Sequence, residues 1–198
     1  MASTYSTTLG IEKMGAGDQS GTWGTTTNYN WDIIDRIIGY SAITLGSTSY
    51  TLDVRAAAPS SGASNVQTGM YRVLNFGDAG DLGGTATVTI STSTTSVYFI
   101  AKNGLSASRS IIFTQGTGAT TFSLPAGKSA LIYADGSDEV HNAFKDFYVE
   151  TLQTTGAATV GGALTLTTDL TVPNGGTGVS TLTDKGMLYG QGTSAVLA

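Results

Sequence analysis

The chain contains no cysteine, which excludes a disulfide framework and any thiolate-bound zinc or iron–sulfur centre. Charge is scarce too: charged residues make up 12% of the sequence, the formal net charge is −5, and the nine Lys and Arg residues are scattered singly. A phosphate backbone is bound by clustered cations that displace counterions, so nucleic acid is not an expected partner. No apolar run approaches the roughly 18 residues that cross a bilayer, so no membrane insertion is expected. The opening MASTYSTTLGIEK has neither a basic n-region nor an apolar h-region, and no secretory leader is expected.

What remains is rich in Thr, Ser and Gly, with 27 glycines in 198 residues. That length supports one compact domain with an appendage, or two small domains, with enough interior for a core. Soluble proteins usually keep themselves apart with a charged surface. A surface this neutral fits either a hydroxyl-covered β protein or one whose faces are covered by other chains.

From residue 41 onward the apolar residues fall into short runs bounded by Gly, Ser, Asn and Asp. The segments 41–45, 50–54, 70–76, 85–90, 96–101, 109–115, 129–134 and 146–151 are strand-length and rich in β-branched and aromatic residues. In TATVTI, Ala86, Val88 and Ile90 alternate with threonines, the pattern of a half-buried strand. Eight such segments predict a mainly β fold, an antiparallel β-sandwich or jelly-roll-like domain over 46–150.

One segment departs from this period. In WDIIDRII, Trp31, Ile34 and Ile38 recur at helical spacing, which predicts a short helix over 31–38 with Asn30 as N-cap and Gly39 in a left-handed C′ position. Two turns are unstable alone, because nucleation is costly, so packing has to pin them. Trp23, just upstream, is the expected packing partner, and Gly21 and Gly24 would allow a tight path around it.

Beyond Thr151 the sequence changes again. Short alternations such as Leu164 and Leu166, then Leu170 and Val172, are separated by Gly-rich breaks. One such chain cannot bury a core, because each short strand offers an apolar side chain only at every second residue. Three chains wound together can, so residues 151–198 are read as the start of a trimeric β stalk with Leu164, Leu166, Leu170 and Val172 at the trimer interface. A disordered linker is the competing reading.

Candidate chemistry is thin. Gly127-Lys128-Ser129 is not a phosphate loop, because Phe122 stands where that motif needs its first glycine, and a hairpin turn is the simpler reading. Asp135, Asp138 and Glu139 lie near His141, the one histidine, but the spacing of a calcium loop is absent and a single imidazole does not make a zinc set. Asp78 and Asp81 in a glycine loop read equally as a calcium cradle or as turn formers. No GxSxG elbow occurs for a serine nucleophile. No catalytic residue, metal or cofactor is expected, and the chain reads as a non-enzyme.

Gly10 to Asp35, GIEKMGAGDQSGTWGTTTNYNWDIID, resembles the N-terminal region of tail-fibre and related virion structural proteins of marine bacteriophages, the cyanophage and pelagiphage type. The likeness extends through Gly80–Gly83 and Ser108–Gly116, and PNGGTGVSTLTDKGMLYGQGTSA is similar to the Gly-Gly-Thr-Gly segments of phage fibre shafts. The resemblance implies a homotrimeric fibre, or its proximal part, made in the host cytoplasm and mounted on the virion tail. Residues 1–45 would anchor it, docking through Trp23, Trp31, Ile34 and Ile38 to other tail proteins of the adaptor or nozzle type. Distal parts would reach toward host surface polysaccharide. A head decoration or head-fibre protein, a tail adaptor, and a host-polysaccharide-binding module using Asp and aromatic residues are the alternatives.

Overall fold

Alternation decides which strand faces can share an interior, and in Ala86–Ser91 it is strict: Ala86, Val88 and Ile90 are buried while the residues between them are partly exposed. A similar inward rhythm recurs in the strands at 40–45, 73–78, 97–103 and 111–115. The computed structural model describes residues 2–60, 62–117, 120–145, 148–149, 152–162 and 165, together with the backbone of 189–191 and 194–197. They fall into two units, 1–148 and 149–198.

The first unit opens with a small antiparallel pair, β1 (Thr4–Tyr5) and β2 (Glu12–Lys13), followed by one helix, α1 (Trp23–Ile38). Then come β3 (Tyr40–Leu45), β4 (Ser49–Asp53), two 3-10 turns at Ala63–Asn65 and Thr68–Met70, β5 (Val73–Asp78) and β6 (Ala86–Ser91). The unit continues with β7 (Val97–Asn103), β8 (Ile111–Gln115), β9 (Phe122–Leu124), β10 (Ser129–Ala134) and β11 (Val140–Asn142). In the second unit β12 (Tyr189–Gln191) and β13 (Ser194–Leu197) pair antiparallel with an irregular register. The stalk positions Leu164, Leu166, Leu170 and Val172 lie outside the described residues, as does most of the strand expected at 146–151.

Two open sheets carry the first unit, a five-stranded sheet ordered β11-β10-β7-β5-β3 and a four-stranded sheet ordered β4-β6-β8-β9. Their centres are parallel, which corrects the antiparallel expectation. Tyr40 lies beside Val73 and Val73 beside Ile100 in one sheet; Tyr50 lies beside Val88 and Val88 beside Phe113 in the other, all in parallel register. After each strand from β3 to β7 the chain crosses to the other sheet, so β3, β5 and β7 run in one direction within their sheet, as do β4, β6 and β8 within theirs. The crossovers between these parallel neighbours are strands of the other sheet, where α/β folds use helices. Only β9, β10 and β11 fold back antiparallel. Gly127-Lys128-Ser129 accordingly lies on a turn that joins strands of different sheets, not on a hairpin.

Inward residues of both sheets form one core. Phe76 and Phe99 from the five-stranded sheet meet Phe113 of β8 edge to face, with ring centroids 5.4 and 6.1 Å apart. Leu52, Leu74, Ile90, Ile111 and Ile132 fill the space around them. The fully buried Asn103 is paired: its amide donates to the carbonyls of Arg109 and Leu124 and accepts from the Leu105 N–H.

The helix differs from its expected form in length and at both ends. It starts at Trp23, and Asn30 lies inside it. Rather than capping, the Asn30 side chain accepts from the Glu12 N–H at 3.0 Å and donates to the Glu12 carbonyl at 2.9 Å, which ties α1 to β2. Gly39 ends the helix in an extended conformation, φ −93° and ψ 176°, not the left-handed one. Its need for glycine is spatial: a Cβ there would come within 2.9 Å of the Tyr71 ring.

Candidate docking face

On an ideal helix Trp23, Trp31, Ile34 and Ile38 fall within about 80° of one another, and Thr27 falls between them. Trp23 and Ile34 are eleven residues apart, as are Thr27 and Ile38, so the stripe runs nearly straight along α1 for roughly 22 Å. All four predicted docking residues are solvent-exposed: Trp23 63%, Trp31 62%, Ile34 42% and Ile38 85%. The helix is therefore not pinned by Trp23. Ile33, fully buried, and Thr26 lie on the adjoining arc, about 110° round the helix from the centre of the stripe, where α1 packs on the two 3-10 turns.

The result is a helix apolar over more than half its circumference with only part of that surface covered. Its polar remainder carries Asn28, Asp32 and Asp35. Arg36 is turned away, its guanidinium 5.1 Å from the centre of the Tyr71 ring. At the end of the stripe Tyr40 is also exposed, its hydroxyl accepting from the Asn75 amide at 3.2 Å. Thr27 and Tyr40 were not among the expected docking residues; the eleven-residue spacing would have found Thr27, whereas Tyr40 lies on a strand.

Just before the helix the backbone is held by short polar contacts. Gln19 donates to the Glu12 carboxylate at 2.7 Å and accepts from the hydroxyls of Thr22 and Thr26. The Ser3 hydroxyl and then the Gln19 N–H hold the Asp18 carboxyl below its ordinary pKa. Gly21 has φ +80°, the left-handed region that favours glycine, whereas Gly24 is simply helical.

The acidic segments resolve into structural contacts. Asp81 makes a bidentate pair with Arg109 at 2.8 and 2.9 Å, and that pair together with the Gly83 N–H lowers its pKa to about 2. Asp78 accepts from the N–H and hydroxyl of Ser106. Both aspartates thus fasten the loop between β7 and β8. Asp135, Glu139 and His141 do converge, with one potential ligand atom from each lying within 4.8 Å of the others. Alternation explains it: Ala134 and Val140 point inward, so their neighbours share the outer face, where His141 stacks on Tyr133 with centroids 4.9 Å apart. Among the described residues no helix is long and apolar enough to cross a membrane.

No protein-family model, curated protein or solved structure matches the chain.

Proposed function

We propose that this chain is a structural component of a phage virion, a homotrimeric tail fibre or its proximal part, docked to a neighbouring tail protein through α1. The observation that carries the reading is the exposed Trp23–Trp31–Ile34–Ile38 stripe on a helix that is already packed along a separate, adjoining arc through Thr26 and Ile33. Two tryptophans held in water are costly to solubility and valuable in an interface, where aromatic anchors supply most of the binding energy. Low charge and a hydroxyl-rich surface suit a particle component covered by its neighbours. In this reading the two sheets form a sandwich-like body and residues 151–198 begin a trimeric β stalk. No catalytic role is assigned.

The stalk and the docking face are tested separately. Sedimentation of the full chain should give a trimer, and a version ending near Glu150 should lose it. Leu164→Asp with Leu166→Asp would place charge in the seam between chains and abolish the trimer; an unchanged mass in that double variant rejects the stalk. Trp23→Ser with Trp31→Ser should leave the trimer intact and yield particles that lack the protein. Antibody labelling of such particles and of wild-type ones separates a tail position from a head decoration.

A second reading, host polysaccharide binding, draws on the outer face of the five-stranded sheet. Tyr98 and Tyr133 are cross-strand neighbours, both exposed, with the Arg72 guanidinium 4.8 Å from the Tyr98 ring centre. A glycan array on the full chain distinguishes it, since an anchoring protein should bind no glycan.

A further inference from the structure

Arg55 lies at a cavity of about 320 Å³ lined by Thr7, Thr8, Thr94, Thr95 and Ser96. The other arginines have partners for their charge: Arg109 has Asp81, while Arg36 and Arg72 lie over the rings of Tyr71 and Tyr98. Arg55 has neither. Among the described residues no carboxylate pairs with it, and it makes one hydrogen bond, Nη1 donating to the Thr7 carbonyl. A guanidinium has five N–H groups and is charged at every accessible pH, so most of its donor capacity is unused.

The hydroxyls around it are unused as well. Thr7, Thr8, Thr94 and Ser96 have no side-chain hydrogen bond among the described residues, whereas the Thr95 hydroxyl is taken by Thr92 at 2.6 Å. Both walls are held in place before any ligand arrives. On one side, Gln115 is fully buried; it donates to the carbonyls of Thr92 and Thr95 at 3.0 and 2.9 Å and accepts from the Gly136 N–H at 3.1 Å. On the other, the turn between β1 and β2 is closed by Gly10 N–H to Ser6 O at 3.0 Å and Ser6 N–H to Ile11 O at 2.9 Å.

We infer that this cavity binds a tetrahedral oxyanion, a phosphate or sulfate group, through the Arg55 guanidinium and the hydroxyls of Thr94 and Ser96. A planar N–H fork with surrounding hydroxyl donors matches the several oxygens of such a group, and the lining offers no apolar platform for a ring. The inference is independent of the virion reading. The same chemistry serves a free ion and an ester carried on a polyol, and the two are told apart by measurement.

Calorimetric titration of the full chain, with ionic strength held constant by sodium chloride, would use inorganic phosphate, sodium sulfate, glucose 6-phosphate and glucose. Saturable binding is expected for the three anions and none for glucose. Arg55→Gln should weaken it about tenfold or more, since a charge-assisted bond is lost. Thr94→Val, which leaves Arg55 and its bond to Thr7 in place, should weaken it by about two- to fivefold without moving the melting temperature. Tighter binding of glucose 6-phosphate than of phosphate would assign the site to an ester, and equal binding to the ion; both support it. Absence of saturable binding, or binding that Thr94→Val and Arg55→Gln leave unchanged, overturns it.

Discussion

Phe113 and Trp31 are both large aromatic residues in regular elements, and they meet opposite fates. Phe113 is sealed between the two sheets against Phe76 and Phe99, whereas Trp31 is 62% exposed on α1. The difference lies in what each element has opposite it. β8 has strands on both sides within its sheet and another sheet across the core, so its inward face is fully enclosed. The inward arc of α1 is filled by Ile33 and Thr26, and its second apolar arc has no partner within the described residues. Apolar character creates a demand for burial; topology decides whether the chain itself meets that demand.

Measurements on the two regions should separate sharply. Phe113→Ala removes both inter-sheet ring contacts and is expected to cost about 3–5 kcal/mol in denaturant unfolding of the first unit. Trp31→Ser should change stability by no more than about 0.5 kcal/mol under the same conditions. A comparable loss for the two would end the contrast. Within α1 the same logic runs between adjacent residues: Ile33→Ala should cost about 2–4 kcal/mol and speed hydrogen exchange of the helix amides, while Ile34→Ala leaves both nearly unchanged. Equal effects would mean that α1 has no distinct inner and outer faces.

The smallest expected effect concerns the loop between β7 and β8. The pKa of Asp81 is lowered from 3.8 to about 2, so its ion pair with Arg109 contributes fully above the unfolded-state pKa. That contribution is lost as pH falls from about 4 through about 2. Asp81→Asn should remove this part of the acid dependence and leave the remainder. Because the pair is at the surface, the effect should also shrink in high salt.

Much of the strand content was legible. TATVTI was read with Ala86, Val88 and Ile90 on one face, and all three are fully buried; SALIYA coincides with β10. Very short strands were not: Phe122–Leu124 and Val140–Asn142 offer three residues each, too few for a period to register. The first half of α1 was also missed. WGTTTNYN combines Gly, three threonines and two asparagines, all weak helix formers, and it is helical because Thr26 is buried and Asn30 bonds the main chain at Glu12. Of the candidate site, Trp31, Ile34 and Ile38 were legible from helical spacing and Trp23 only as their expected packing partner, but their exposure was not readable, since an apolar stripe looks the same whether it faces inward or outward. The Arg55 cavity had no sequence signal, because its walls come from residues 7–8, 55 and 94–96.

The sequence by itself determined that the chain would be mainly β, that one segment with helical spacing would interrupt the strands, and that no thiol chemistry was available. Those properties follow from local composition and period, which are written along the chain. Only the tertiary structure decided that the central strands run parallel, that β3 to β8 alternate between two sheets, and that both tryptophans face solvent. Strand direction leaves the inward-outward alternation unchanged, and burial depends on which distant residues arrive opposite, so neither is encoded at the scale of a short segment.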